Sequence, residues 1–416
     1  MQVRSSTFIF LAVAAAAELI PGAAAAQQAQ TAPPPAITAG WNDGFVIQSA
    51  DGNNRLQIGA ILQADGRFSL DEPETIVDTF VLRKARPVLT GRIAKYFDFK
   101  LMPELAGGTS NMLDAYFDVR ISNAFRLRSG KDKTPIGYEL LLGDTTLIFP
   151  ERSLVSLLVP NRDVGFQAIG EVAAGRIQYS GGIFNGNVLD GTSGTTDVDA
   201  NEGKDLAGRI VYLPFRAHSG ATKGSAWGNL GFHLGASTGN QSGALPSFRT
   251  SAGQTFSSFA NTTADGRRSR ITPAVFLYYK RFGGFAEYAR TEQDVLRADL
   301  PLTIANHAWG VTGSYVLTGE PTSDRGVRPQ APFDPAAGSW GALQVAARYS
   351  ELTLDPDIIA AGGATAGASQ KARQFTVGTN WFLNNFVKVY ATYERHMFTG
   401  TRADENVIIF RSQFAF

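Results

Sequence analysis

The chain contains no cysteine in its 416 residues. Thiol nucleophiles, disulfides and cysteine-held metals are therefore excluded. The absence suits export through an oxidising compartment, where a stray thiol is a liability. Histidine is scarce too: the four, at 218, 233, 307 and 396, never fall at metal-ligand spacing. There is no excess of either charge, with 38 Lys and Arg against 37 Asp and Glu. Bulk charge thus argues for neither nucleic acid nor an acidic surface as partner. After the N-terminus no apolar run reaches eighteen residues, so no membrane-spanning helix is expected. His-Glu-x-x-His, P-loop and EF-hand patterns are all missing. No catalytic residue, cofactor or metal is expected, and an enzyme is the least supported class.

What is present is an unusual mixture. Glycine is high at 44 and aromatics reach 11 %, yet mean hydropathy is slightly negative. A transmembrane β-barrel leaves this trace, because its apolar residues occupy every second position and no window reads as a membrane span.

Residues 1–26 read as a secretory signal peptide: Arg4, an apolar stretch from Phe8 to Ala17, a Pro21-Gly22 break and a small-residue site at Ala24-x-Ala26. Residues 27–50 read as a periplasmic tether, Pro-rich at 33–35, in which the turn-rich 41–54 could hold a short strand. The barrel is expected over 51–416. Arg55 to Leu70 carries the clearest signal. Leu56, Ile58, Leu62 and Phe68 alternate with Arg55, Gln57, Gln63, Asp65 and Arg67, with Ile61 alone interrupting the polar face. That length exceeds the usual globular strand of about 5–6 residues and suits a tilted membrane strand. The segment from Phe80 to Ile93 repeats the pattern, with a bulge or missing hydrogen bond expected at Pro87. Similar strands recur to the C-terminus, with short turns alternating with long loops, including an acidic one at 186–205 and a long external one at 239–266. At least thirteen strands are visible. Barrels of this class take even numbers, and roughly 390 mature residues at about 24 per strand suggest 16. The expected fold class is all-β: a transmembrane antiparallel β-barrel, 16-stranded by this arithmetic. The last strand ends Ile408, Phe410, Phe414, Phe416 on one face. A soluble protein has little reason to expose such a row.

Between the strands at 125–133 and 164–172 lie about thirty residues without sustained period. Connections in compact domains have a median of about 4–6 residues, so an ordered loop of this length is usually functional. The expectation is a constriction loop, about 134–163, folded into the lumen and bringing Arg152 and Arg162 with it. Residues 80–133 hold eleven Lys or Arg against five Asp or Glu, whereas the whole chain stands at +1. Lys84, Arg86, Arg92, Arg120, Arg126 and Arg128 fall on faces assigned to the lumen. A lipid-facing Arg or Lys costs about 2–4 kcal/mol at the midplane, and rows of basic side chains lining a pore select anions. Arg suits phosphate through its planar two-donor fork. Tyr116, Trp309 and Trp340 could instead stack a sugar, so a barrel passing a sugar or an organic acid stays open.

Gly-Lys-Asp-Lys-Thr-Pro-Ile-Gly at 130–137, Glu151-Arg152, and Arg162-Asp163-Val164-Gly165 occur in order. They are followed by Leu-Thr-Gly-Glu at 317–320 and Trp-Gly-Ala-Leu with Arg-Tyr-Ser within 340–350. Together these resemble the phosphate-selective porin family, the porin O and P type of Gram-negative outer membranes, over roughly residues 45–416. The resemblance implies a passive outer-membrane porin for small anions, with phosphate or polyphosphate leading. It also implies a homotrimer, contacts with outer-membrane lipid and lipopolysaccharide, and recognition of Phe416 by the barrel assembly machinery. It further implies an arginine ladder leading to the inward loop. Arg83 and Lys84 match the family's paired basic positions, though strand parity turns only Lys84 inward. Arg152 matches the constriction arginine and Asp114 its acidic partner. Ile61 and Thr145 stand where phosphate-specific members carry basic residues, which weakens the implied selectivity for phosphate.

Overall fold

The computed structural model describes residues 37–72, 76–108, 110–186, 202–216 and 227–416. The expected signal peptide, the first part of the tether and most of the acidic loop lie outside these residues. Sixteen antiparallel strands follow one another around a closed sheet. They are β1 Arg55–Ser69, β2 Thr79–Ile93, β3 Phe97–Glu104, β4 Asn111–Arg120, β5 Arg126–Lys133, β6 Arg162–Val172, β7 Ile177–Phe184 and β8 Asp205–Tyr212. Then come β9 Leu230–Ala244, β10 Thr262–Tyr279, β11 Phe282–Arg297, β12 Leu300–Val316, β13 Ala342–Thr353, β14 Lys371–Phe382, β15 Val387–Phe398 and β16 Glu405–Ala415. The barrel closes where β16 pairs with β1, from Val407 opposite Ser69 to Ala415 opposite Ile61. No helix of the described residues is long and apolar enough to cross a membrane.

Polarity is inverted relative to a soluble protein. Phe80, Phe166, Leu234, Phe375 and Phe410 are exposed on the outer face, while Gln63, Lys84, Arg348, Gln374 and Glu394 are buried inside. This is the alternation a membrane barrel requires, since lipid solvates the outer face and polar partners fill the lumen. Phe410 and Phe414 of the last strand lie on that outer face, as the sequence pattern predicts.

Several local expectations change. Residues Ile37–Trp41 and Phe45–Ser49, assigned to the tether, form a hairpin whose second strand pairs with Arg55–Ile58 of β1. It continues the edge of β1 where β16 ends. Trp41 and Phe45 pack at 5.5 and 6.0 Å from the Phe416 ring. Ala60 and Phe416 exchange two backbone hydrogen bonds at this seam. The 239–266 loop is shorter than expected, because β9 and β10 run on and leave 245–261.

The loop asymmetry has three exceptions. Taking the end with the short turns as periplasmic, β11 and β12 join at the outer end through only Ala298-Asp299. Both residues have positive φ, at 46° and 69°. A two-residue hairpin needs that geometry and usually obtains it from Asn-Gly, so the turn left no sequence signal. Conversely, two inner-end connections are long, 213–229 between β8 and β9 and 317–341 between β12 and β13.

Pro87 carries no bulge; it lies just beyond Leu89, where the pairing of β2 with β3 stops. The bulge comes at Arg83. Gln63 faces Lys84 and Ala64 faces Leu82, so Arg83 has no cross-strand partner.

The seam gives a test. A Cβ on Gly59 would lie 2.4 Å from the Phe416 carbonyl oxygen, a backbone atom that cannot step aside. Gly59→Ala is expected to cost about 1–3 kcal/mol, read as a lower unfolding temperature with unchanged β content by circular dichroism. An unchanged temperature would show that the seam contributes nothing to closure.

Candidate functional site

The connection from β5 to β6, residues 134–161, turns into the barrel and crosses it. Its apolar side chains, Ile136, Leu140, Leu154, Val155, Leu158 and Val159, pack on small inward residues of the far wall, including Ala289, Ala308 and Ala372. Phe248 and Phe256 of the 245–261 loop join this core. With little secondary structure of its own, the loop has backbone carbonyls that must find outside donors. The wall supplies them: Lys388 Nζ donates to Leu147 O at 2.8 Å, Asn380 Nδ2 to Ile148 O at 2.8 Å and Arg348 to Glu151 O at 2.8 Å. Gln413 Nε2 donates to Thr145 O at 3.0 Å.

The opposite side of the loop is charged and faces β1, β2 and β16. Glu151 takes three arginines: Arg83 through two nitrogens at 2.7 and 3.0 Å, Arg411 at 2.7 Å and Arg67 at 3.0 Å. Asp144 takes Arg152 at 2.7 Å, Lys84 at 3.4 Å and Arg86. Glu139 accepts from the Ser153 backbone at 2.9 Å and pairs with Arg348 at 3.4 Å. Burial alone would raise the Asp144 and Glu151 carboxyls, but the surrounding cations outweigh it and hold both well below their ordinary values.

The residues singled out from sequence divide into groups. Lys84, Arg86 and Arg152 meet at Asp144. Arg83 joins them from the opposite parity, because the bulge aims it inward at Glu151; the parity expectation for this residue is corrected. Asp114 is not the partner of Arg152: it binds Arg162 at 2.5 Å and Lys100 at 2.7 Å. Arg152 is tied instead to Asp144 and to the carbonyls of Glu139 and Leu142. Towards the periplasmic end, Arg126 and Arg128 share Asp118, at 3.3 and 2.7 Å, and Arg92 and Arg120 share Asp98, at 2.7 and 3.6 Å. Arg67, Arg249, Arg348, Arg411, Lys388, Glu139 and Asp144 were missed. The first five are scattered single cations, and only folding brings them to the lumen.

Two basic cavities open in the barrel, an outer one against the loop and an inner one beside the 121–125 turn. The outer one, about 630 Å³, is lined by seven basic side chains (Arg67, Arg83, Lys84, Arg86, Arg152, Arg162, Arg249) and two carboxylates, Asp144 and Glu151. The inner one, about 330 Å³, is lined by Arg120, Arg126 and Arg209 with Glu171. Arg249 and Arg209 form no ion pair or hydrogen bond with the described side chains; each leaves its donors to the cavity. Of the aromatic candidates, Tyr116 faces the lumen, but Arg128 covers its ring at 3.6 Å. Trp309 lies on the outer face against Tyr349, and Trp340 is exposed beside Phe333.

Comparisons with known proteins follow this geometry. The model of a family described as phosphate-selective porin O and P matches residues 56–416. No curated protein matches significantly. Among solved structures, an anion-selective porin from Comamonas acidovorans superposes with a TM-score of 0.54 at 14 % identity, over 87 % of this chain and 100 % of its own. OmpF of Salmonella typhi, in a complex with daunomycin, gives 0.55 at 11 % over 91 % and 100 %. The trimer form of OmpT from Vibrio cholerae gives 0.53 at 14 % over 87 % and 99 %. At these identities the likeness establishes the fold alone.

The ion pairs make two predictions. Because both loop carboxyls are depressed, their pairing persists as pH falls through the ordinary values of 3.8 and 4.5. It is lost only further into acid, as pH passes the depressed values. Neither carboxyl is therefore expected to take up a proton between neutral pH and about 4.5, followed as the carboxylate bands lost in infrared difference spectra of Asp144→Asn and Glu151→Gln; protonation of either in that window would contradict the assignment. Glu151→Gln leaves three guanidinium groups without their shared counter-charge. Breaking a buried pair this way costs about 3–5 kcal/mol, so a clear drop in unfolding temperature is expected, together with a shift of reversal potential towards anions.

Proposed function

Since this chain belongs to the phosphate-selective porin O and P family and is an outer-membrane porin of the Gram-negative type, we propose that it passes small anions passively and that phosphate or polyphosphate is its solute. The observation that carries the reading is the outer cavity, where seven cations face two carboxylates. Its low-dielectric walls lengthen the reach of each charge, so the excess raises the local concentration of anions at the mouth of the constriction. Most of these cations are braced by a carboxylate on one edge and keep donors free on another. A phosphate oxygen can then be bound without reorganising the wall, and exchanged between neighbouring donors. Arg249 above the loop and Arg209 below it hold no protein carboxylate at all, which suits them to take and release the solute.

The channel is proposed to work as a homotrimer, a reading supported by the shared fold with porins of which one is described in trimer form. The loop at 134–163 is proposed as the selectivity element. Phe416 is proposed as the handle for the barrel assembly machinery. The departures at Ile61 and Thr145 point to weaker phosphate preference than basic residues there would give.

The test is single-channel conductance in a planar bilayer. Under a KCl gradient the reversal potential is expected to report anion preference, and added phosphate to block chloride current saturably. Arg249→Ala, which breaks no ion pair, is expected to weaken that block about five- to tenfold, the loss of one charge-assisted contact. Anion selectivity without phosphate block would leave a general anion porin. Cation selectivity would overturn the reading.

A further inference from the structure

The wall of the outer cavity holds carbon as well as charge. Val81, Leu157 and Pro246 line it beside the cations, and each is only partly buried. Leu157 belongs to the short 3-10 turn Leu154–Leu158. One side of it packs against the apolar core of the loop, and the rest of its side chain meets the cavity. Pro246 comes from the 245–261 loop, as does Arg249, which is exposed to the same cavity. This second loop therefore brings an apolar ring and a guanidinium without a carboxylate partner into one space.

Ser156 adds a polar atom that nothing satisfies. It lines the cavity, is 7 % exposed, and its Oγ has no hydrogen-bond partner among the described residues. A buried hydroxyl without a partner is destabilising, and the head of a bound solute would supply the missing bond.

Inorganic phosphate accounts for the cations and the hydroxyl but not for the carbon beside them. A hydrated ion gains nothing against exposed apolar side chains. The size of the space points the same way. Its volume of about 630 Å³ lies within the roughly 300–1,000 Å³ of pockets for small organic ligands, whose walls are mostly apolar with a few placed polar groups. A solute with an anionic head and an apolar body would use both kinds of wall at once.

We propose that the outer cavity recognises organic anions of this form, an aryl carboxylate or an aryl phosphate, with the head held by Arg249 and the Ser156 hydroxyl and the ring lying against Leu157 and Pro246. This rests on the reading of the cavity as an anion path, and it widens the solute from an inorganic ion to an organic one. The two heads share one chemistry, oxygens that accept from a guanidinium fork and a hydroxyl.

The experiment compares matched pairs of probes on the full-length porin in a planar bilayer. Chloride current is titrated with acetate against benzoate and with phosphate against phenyl phosphate. Burying roughly half of one phenyl ring is expected to lower the half-blocking concentration about tenfold within each pair. Leu157→Ser and Pro246→Ser, which alter different loops, are each expected to shrink that ratio about threefold. A gain in one pair alone would support the proposal and assign the head to carboxylate or to phosphate. Equal block within both pairs would overturn it, and so would a ratio that stays at its wild-type value in both variants. Phosphate that blocks as well as phenyl phosphate leaves the anion reading standing while this inference falls. Cation selectivity, read from the reversal potential of the same channels, would overturn the anion reading and this inference with it.

Discussion

The charged half of this lumen depends on two carboxylates that are outnumbered. Asp144 and Glu151 enter from a loop, and six wall or loop cations converge on them. A buried carboxylate with one partner barely offsets its own desolvation. With three partners, the desolvation of the pocket is shared and the loop has one low-energy seat. The same arithmetic leaves the wall cationic after the loop is seated. Anchoring and selectivity thus come from one set of charges: the carboxylates position the loop, and the cations left in excess face the water.

The loop has two faces because the lumen has two walls. On the β11–β14 side, Ala289, Ala308 and Ala372 give Leu154, Val155 and Leu158 a shallow apolar bed. On the β1, β2 and β16 side, basic residues receive its acids. The apolar bed excludes water from one half of the cross-section and forces the aqueous path to the other. Small residues on the far wall therefore shape the pore although they touch no solute.

Much of this was legible in the sequence, and the reason is period. Alternation over Arg55–Ser69 and the terminal Phe row express one physical rule, lipid outside and polar inside, and that rule specifies the barrel strand by strand. The ordered motifs around 130–165 marked the loop. What stayed hidden lacked period or was not local. Ala298-Asp299 turns a hairpin without glycine or asparagine. Arg348 and Arg411 lie some two hundred or more residues from the loop they hold. Asp144 gave no hint that it, rather than Asp114, would meet Arg152, because pairing across a lumen is set by the barrel's curvature and not by spacing along the chain.

The bulge in β2 has an evolutionary reading. Arg83 is the one residue between Thr79 and Ile93 opposite which β1 offers nothing. Val81 and Lys84 on either side of it both face the lumen, so excising Arg83 would leave every other side chain of the strand on its present face. Elsewhere in a barrel strand a one-residue deletion turns half the strand inside out. At this position a lineage can gain or drop a lumenal charge by a single codon insertion or deletion. The strength of the charge at the loop is thereby open to adjustment without repacking the lipid-facing surface.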